Sequence, residues 1–286
     1  MKRKLRAMLL TITMLVAVPS ISFADAVEGD TIVSLGENLT EQQKNDLLAE
    51  LGVPENAQMI TVSNQEEHDY LGEFIPKAQI GSRAISSASI TMGAMDSGLD
   101  VQTNNITWVT DEMYINALTT AGVKDADIRI SAPFDVSGTA ALTGIMKAYE
   151  ATTNKEIPEE IKKAANEELV KTAQLGDSIG ADNAAALMGK VKEEIAKNEP
   201  KTEADLRALI EQVAAELGIT LSDAELDRLV EFFNGLKAMD IDWKQVKEQL
   251  SDISTFLQSE EGQSFLQRLQ DFLNSSLDEV RSLFAK

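Results

Sequence analysis

Ala126-Asp127-Ile128-Arg129-Ile130-Ser131, followed by Pro133 and then Ser137-Gly138-Thr139, is the stretch that sets the fold class. Ile128 and Ile130 alternate with polar neighbours, the period-two pattern of a strand with one buried side. Pro133 lacks a backbone N–H and is read as the end of that strand. Ser137 is read as the cap of a helix running from Thr139 to about Ala151. Strand, turn and helix in direct succession mark an α/β unit at the centre of the chain.

Upstream the same alternation recurs. Thr31 to Leu35 reads as a short strand closed by Gly36, and Thr40 with Gln43 forms a capping box ahead of Leu47, Leu48 and Leu51. Gln58 to Ser63 is a second strand, with a polar helical turn from Gln65 to Leu71. Ala84 to Met92 and Leu99 to Val109 are strands separated by Gly93-Ala94-Met95-Asp96-Ser97-Gly98, a loop that suits a hairpin and would make the sheet mixed. Asp111 is read as the cap of a helix carrying Met113, Tyr114, Ala117 and Leu118, stopped by Gly122.

Downstream of Ala151 the strand signal ends. Pro158 starts a helix with Ile161, Ala164, Ala165 and Leu169 on one face; Ala184 to Ala196 forms the next; Leu206, Leu209, Ile210, Val213 and Leu217 mark a third. Ser222 and Glu225 make a second capping box before Leu226, Leu229, Val230, Phe233 and Leu236. Trp243, Val246, Leu250, Ile253 and Leu257 follow a heptad spacing, and Leu266 to Phe284 carry a last amphipathic helix. The expected fold is therefore α+β: a mixed-sheet domain of about five strands over residues 25–152, then an all-helical bundle over 153–286.

Residues 1–24 are of another kind. Lys2, Arg3, Lys4 and Arg6 precede an apolar run from Ala7 to Val18, and Ser22-Phe23-Ala24 places small residues ahead of Asp25. That order reads as a secretory leader cut between Ala24 and Asp25. The apolar run is shorter than the roughly 20 residues a spanning helix needs. The mature chain is expected outside the cytoplasm, secreted or attached to the cell envelope, with no stable transmembrane segment.

Charge narrows the partners. The chain carries 47 Asp and Glu against 26 Lys and Arg, a net charge of −21, and losing the leader removes four basic residues and no acidic one. Polyanion binding relies on Lys and Arg displacing counterions, so nucleic acid is excluded as a partner, and anionic lipid repels such a surface. The absence of cysteine removes disulfides, thiolate metal sites and cysteine nucleophiles.

Motifs that could carry chemistry are few. Gly176-Asp177-Ser178-Ile179-Gly180 matches the G-x-S-x-G nucleophile elbow. The elbow needs a preceding strand and a later histidine, whereas Glu167 to Leu175 is helix-like and the single histidine, His68, lies upstream. The pentapeptide is read as a turn, with Gly176 ending one helix and Asp182 opening the next. His68, beside Glu66, Glu67 and Asp69, is read as a solvated surface residue, since one imidazole is too few for a catalytic zinc. Pairs such as Asp125 and Asp127 have the residue type for glycoside hydrolysis, but with 47 acids such pairs arise without chemistry. No residue is nominated as catalytic, metal-ligating or cofactor-binding. Ser137, Gly138 and Thr139 remain as a weak anion or ligand site, where a helix start would present free N–H groups.

Several segments resemble the YpuA-like family of exported proteins from Gram-positive bacteria, classed as a domain of unknown function. They are Ala24 to Asp30, Val33-Ser34-Leu35-Gly36, Leu39-Thr40-Glu41, Gly81 to Ser87, Asn105 to Thr110, Ala132 to Gly144, and Asp240-Ile241-Asp242-Trp243. The resemblance implies an envelope-associated role and carries over no catalytic residues. Together these readings favour an exported binding or structural protein that meets an unknown envelope or extracellular component, its C-terminal helices available for self-association. The alternative is an extracellular hydrolase acting on cell-wall glycan or another polymer through paired carboxylates.

Overall fold

The computed structural model describes residues 27–258, with side chains to residue 250. The expected leader with its expected Ala24/Asp25 cleavage point, and the helix expected from Leu266 to Phe284, lie outside the described residues. Five strands form one sheet: β1 (Thr31–Gly36), β2 (Gln58–Val62), β3 (Ser87–Met92), β4 (Leu99–Ile106) and β5 (Ala126–Val136). Between them lie α1 (Glu41–Glu50), α2 (Asn64–Leu71), α3 (Lys77–Ile80) and α4 (Asp111–Thr120). The helices α5 (Ala141–Thr153), α6 (Glu159–Ile179), α7 (Ala181–Asn198), α8 (Glu203–Glu216), α9 (Asp223–Lys237) and α10 (Trp243–Gln258) follow without a strand among them.

The sheet order is β2-β1-β3-β5-β4, with β1/β2 and β4/β5 parallel and β1/β3 and β3/β5 antiparallel. The sheet is mixed as expected, but not through a β3–β4 hairpin, because β5 lies between those two strands. The 93–98 loop instead straddles the start of β5: Gly93 N and Ala126 N bond to Asp125 O (2.7 Å) and Gly98 O (3.0 Å). Burial explains the exchange. Ile128 and Ile130 are 0% and 1% exposed and need neighbours on both sides, whereas Asp100, Gln102 and Asn104 tolerate the sheet edge.

Nor does Pro133 end β5, which runs on to Val136. The β3 partner stops at Ser87, opposite Ser131, so beyond that point β5 has one neighbour and the missing N–H of Pro133 interrupts no second ladder. A bulge at Asn105 (φ 57°), whose Nδ2 donates to Ala132 O at 2.7 Å, absorbs the irregularity before Ile106 meets Val136.

One sheet face buries Ile32, Ala88, Ile90, Val101, Ile128 and Ile130 beneath α4 and α5. That core also takes Ile161, Leu169, Ala173 and Ala185 from the helical half. On the other face Val33 and Leu35 pack with Leu51 of the α1 end, while Asp100, Gln102, Asp127 and Arg129 hold the register positions of β4 and β5. A second core joins α7, α8 and α9 around Leu206, Ile210, Leu229 and Phe233. Within the heptad stripe Val246 and Leu250 are buried, with α10 packed on α7 and α4, so that part of the seam is spent inside the chain.

Candidate functional site

Around Ser137-Gly138-Thr139 the helix begins later than its sequence suggests. Ala140 is the N-cap of α5 and makes no side-chain capping bond, so Ser137 does not cap it; its Oγ lies 3.4 Å from Thr139 Oγ1. Gly138 (φ +94°) supplies the reason, because its backbone turns the chain three residues before α5 begins at Ala141. A Cβ there would come within 2.4 Å of Ile106 Cγ2 and 2.7 Å of Tyr114 Oη. Gly138 O accepts from Tyr114 Oη at 2.5 Å and from Ala141 N at 3.1 Å, while Ser137 O accepts from Val109 N. Burial pushes the Tyr114 hydroxyl far above its ordinary range, so it stays a protonated donor. Thr139, Ala141, Leu142 and Thr143 are buried, and Ala140 packs under Leu71, Ile75, Ile80 and Val170. The three residues therefore sit at a helix start that faces protein.

Helix α6 continues through Gly176 and Ser178 to Ile179, and Gly180 (φ +93°) is the residue that breaks it, correcting the turn expected at Gly176. Gly176 is small because a Cβ would stand 3.1 Å from Ala181 Cα and 3.3 Å from Met113 Cε. Ser178 thus projects from a helix, without the strand-to-helix elbow that exposes a serine nucleophile. His68 is half-buried rather than solvated: its Nε2 lies 2.9 Å from Gly81 O, and its Nδ1 is buried without a partner. Asp125 Oδ1 accepts from Gly98 N at 3.2 Å, and Asp127 pairs with Arg129 at 3.5 Å. Asp100 and Asp127 are register neighbours on β4 and β5, on an open surface of the sheet rather than in a cleft. Among the described residues, no group of three or more acidic or histidine side chains could hold a metal ion.

Concave space lies in both halves: a cleft of about 310 Å³ opens beside Thr31, Pro54, Gln58 and Thr152 in the sheet half, and others lie among the later helices. A cleft of about 620 Å³ between the end of α7 and α8 adjoins one of about 320 Å³ that reaches Trp243, and both share Glu199, Pro200 and Lys201 as a wall. Glu199, in the left-handed conformation (φ 45°), turns the chain out of α7, and Lys237 Nζ donates to Pro200 O at 2.5 Å to fix that turn. Leu209, Val213, Ile195 and Trp243 give the trough apolar surface, and Asn198, Gln212, Lys201 and Asp205 give it polar groups. Lys201, 2.9 Å away, holds Glu199 below its ordinary value. A third cleft of about 280 Å³ between α6 and α9 has Ser178, Gln174 and Arg228 around a floor of Leu175 and Leu229. Such surfaces suit a ligand with both apolar and hydrogen-bonding character.

Two buried polar clusters escaped the sequence reading. Lys192 on α7 and Glu168 on α6, both 0% exposed, form an ion pair at 2.7 Å. Lys192 Nζ also donates to Asn116 O at 2.6 Å and Thr120 Oγ1 at 3.2 Å, and Thr120 donates to Glu168 Oε2 at 2.5 Å. The ammonium thus donates to two of these oxygens and stands at ion-pair distance from Glu168 Oε1, while burial presses Lys192 down and Glu168 up from their ordinary values. The signal for Lys192 was its place beside Val191 and four residues after Met188, on the apolar stripe of α7. Among so many acids, Glu168 had none. The second cluster surrounds Glu67 of α2, 2% exposed, whose Oε2 accepts from Asn64 Nδ2 at 3.0 Å.

Residues 35–253 match a family described as "Protein of unknown function (DUF1002)". The chain is 50% identical over 289 residues to "Uncharacterized protein YpuA" of Bacillus subtilis (strain 168), covering 99% of this chain and 100% of that relative. No solved structure matches the chain.

Proposed function

The chain belongs to the DUF1002 family, and from that premise we propose that it is an exported protein of the cell envelope or its surroundings that acts by binding. One observation carries the reading: Lys2 to Ala24 has the basic, apolar and small-residue order of a secretory leader. Three structural facts support binding as the mode of action. Ser178 lies on a helix, His68 is tied to Gly81, and Asp125 and Asp127 are engaged in separate local contacts. The larger concave surface is the trough along Glu199-Pro200-Lys201, whose wall is fixed by Lys237 and whose far end holds Trp243. A net charge of −21 turns the protein away from nucleic acid and anionic lipid and toward cationic or neutral components.

Cell fractionation with N-terminal sequencing tests the location. The expected product lies outside the cytoplasmic membrane and starts at Asp25; an intact chain starting at Met1 in the cytosol overturns the reading. For binding, the mature chain is mixed with purified cell-wall sacculi and followed by sedimentation. Retention should fall in Trp243→Ala, and turnover of the wall polymer by the purified chain would replace binding with hydrolysis.

A further inference from the structure

The geometry points to a second binding site in the cleft between α6 and α9, one that takes the carboxylate of an N-acylated apolar amino acid, free or at the end of a peptide. Both walls carry their lining at helical spacing. Lys171, Gln174, Leu175 and Ser178 stand at i, i+3, i+4 and i+7 on one face of α6, and Glu225, Arg228 and Leu229 repeat the first three of those positions on α9. Leu175 and Leu229 are buried and form an apolar floor beneath the polar side chains. No lining residue is shared with the trough along Glu199-Pro200-Lys201.

Arg228 sets the sign of the ligand. Among the described residues its guanidinium reaches no carboxylate at ion-pair distance, although it lies in the field of Glu225. The acids next to it on α9 are engaged elsewhere. Asp227 pairs with Arg207 of α8. Glu225 Oε2 accepts from Ser222 N at 2.8 Å and from Ser222 Oγ at 2.7 Å, which closes the cap of α9. Those Ser222 contacts hold the Glu225 carboxyl below its ordinary range, and Ser178 and Arg228 add to the effect. Across the cleft Lys171 makes one contact, with Glu167 of its own helix at 3.4 Å, and an ammonium has three donors.

A planar guanidinium with its fork free is matched by a carboxylate, which accepts two parallel N–H bonds. Glu167 and Glu225 at the rim disfavour a polyanion, so a single negative charge fits better than a phosphate chain. The Gln174 amide and the Ser178 hydroxyl offer donors and acceptors to the amide of an acylated residue, and Leu175 and Leu229 offer apolar surface to its side chain. At about 280 Å³ the cleft admits a terminal residue and its acyl group, not a longer chain. Ser178, the centre of the elbow-like pentapeptide, thereby gains a role that needs no nucleophile.

Titration of the whole chain with N-acetyl-leucine, followed by amide NMR shifts at about 0.15 M salt to screen the net charge, tests the site. Saturable shifts are expected at residues 171–178 and 225–229. N-acetyl-leucinamide, equal in shape but uncharged, should bind at least about tenfold more weakly, as should N-acetyl-leucine to Arg228→Gln, because each loses a charged hydrogen-bonded pair. Trp243→Ala should bind N-acetyl-leucine unchanged, which separates this site from the trough. N-acetyl-Gly-Gly-Leu distinguishes the sources: binding equal to that of N-acetyl-leucine supports a peptide end, and its exclusion supports a free acyl amino acid. Absence of saturation up to about 20 mM overturns the site. So does equal affinity for acid and amide, undiminished binding to Arg228→Gln, or shifts centred on Trp243.

Discussion

Gly189 and Gly235 both lie inside helices, where glycine costs about 1 kcal/mol relative to alanine, yet their surroundings differ. A Cβ at Gly189 would stand 2.9 Å from Asn116 Oδ1, in an interface where the Asn116 amide donates to Ala185 O at 2.8 Å. A Cβ at Gly235 meets nothing within 4 Å. The same substitution should therefore act with opposite signs. Gly235→Ala is expected to stabilise the chain by roughly 0.5–1 kcal/mol through helix propensity. Gly189→Ala is expected to destabilise it by about 1–3 kcal/mol, because the Asn116 carboxamide must give way in a packed interior. Urea denaturation of both variants checks the pair, and equal shifts would contradict the contact at Asn116. Sequence alone does not separate these glycines. What distinguishes them is the side chain of a residue more than seventy positions away, and no local pattern carries that information.

At the scale of elements, the Glu168–Lys192 pair fastens three helices, since its further partners Asn116 and Thr120 belong to α4. With both charges out of water, removing one partner leaves the other uncompensated, at a cost of about 3–5 kcal/mol. Glu168→Gln and Lys192→Met should each lower stability by that order. The double variant should recover much of the loss, because a neutral, well-filled interface often matches a buried pair. Equilibrium unfolding of the two single variants and the double decides this; strictly additive losses would mean the pair is uncoupled. Local elements were far more legible than such long-range partners. The boxes Thr40/Gln43 and Ser222/Glu225 stand as their spacing implied, because a cap involves residues three apart. The expected β3–β4 hairpin failed because strand neighbours are chosen by burial across the whole sheet, which put β5 at its centre. Pro133 misled for a related reason: its missing N–H matters less once β3 has ended. The Ser137 cap failed on a left-handed Gly138, the Asp111 cap because Thr110 takes that place and accepts from Met113 N, and the Gly176 turn on contacts with Met113 and Ala181. The trough beside Pro200 and Trp243 had no sequence signature, because concavity arises from helices that meet only after folding.

For the molecule as a whole, the dominant electrostatic fact is an excess of acids that no internal pairing can absorb. With 47 carboxylate residues and 26 basic ones, at least 21 acids lack a basic partner even if every cation pairs once. Most observed pairs, such as Lys197 with Glu194 and Lys201 with Glu199, are partly or fully exposed, where solvent screening leaves an ion pair little net effect on stability. Screening acts on both effects. It weakens the attractive surface pairs a little and the long-range repulsion among unpaired acids more, since repulsion is summed over many distances comparable to the Debye length of about 10 Å at 0.1 M salt. The repulsive part should win in a chain this acidic. Raising sodium chloride from about 0.02 M to about 0.3 M is therefore expected to raise the thermal midpoint of the chain by a few degrees. Choline chloride should do the same at equal ionic strength, because screening does not depend on which monovalent cation supplies it. A midpoint that falls with salt would mean that local pairs outweigh the net charge. A rise seen with sodium but not with choline would point to a specific cation contact instead of a diffuse field.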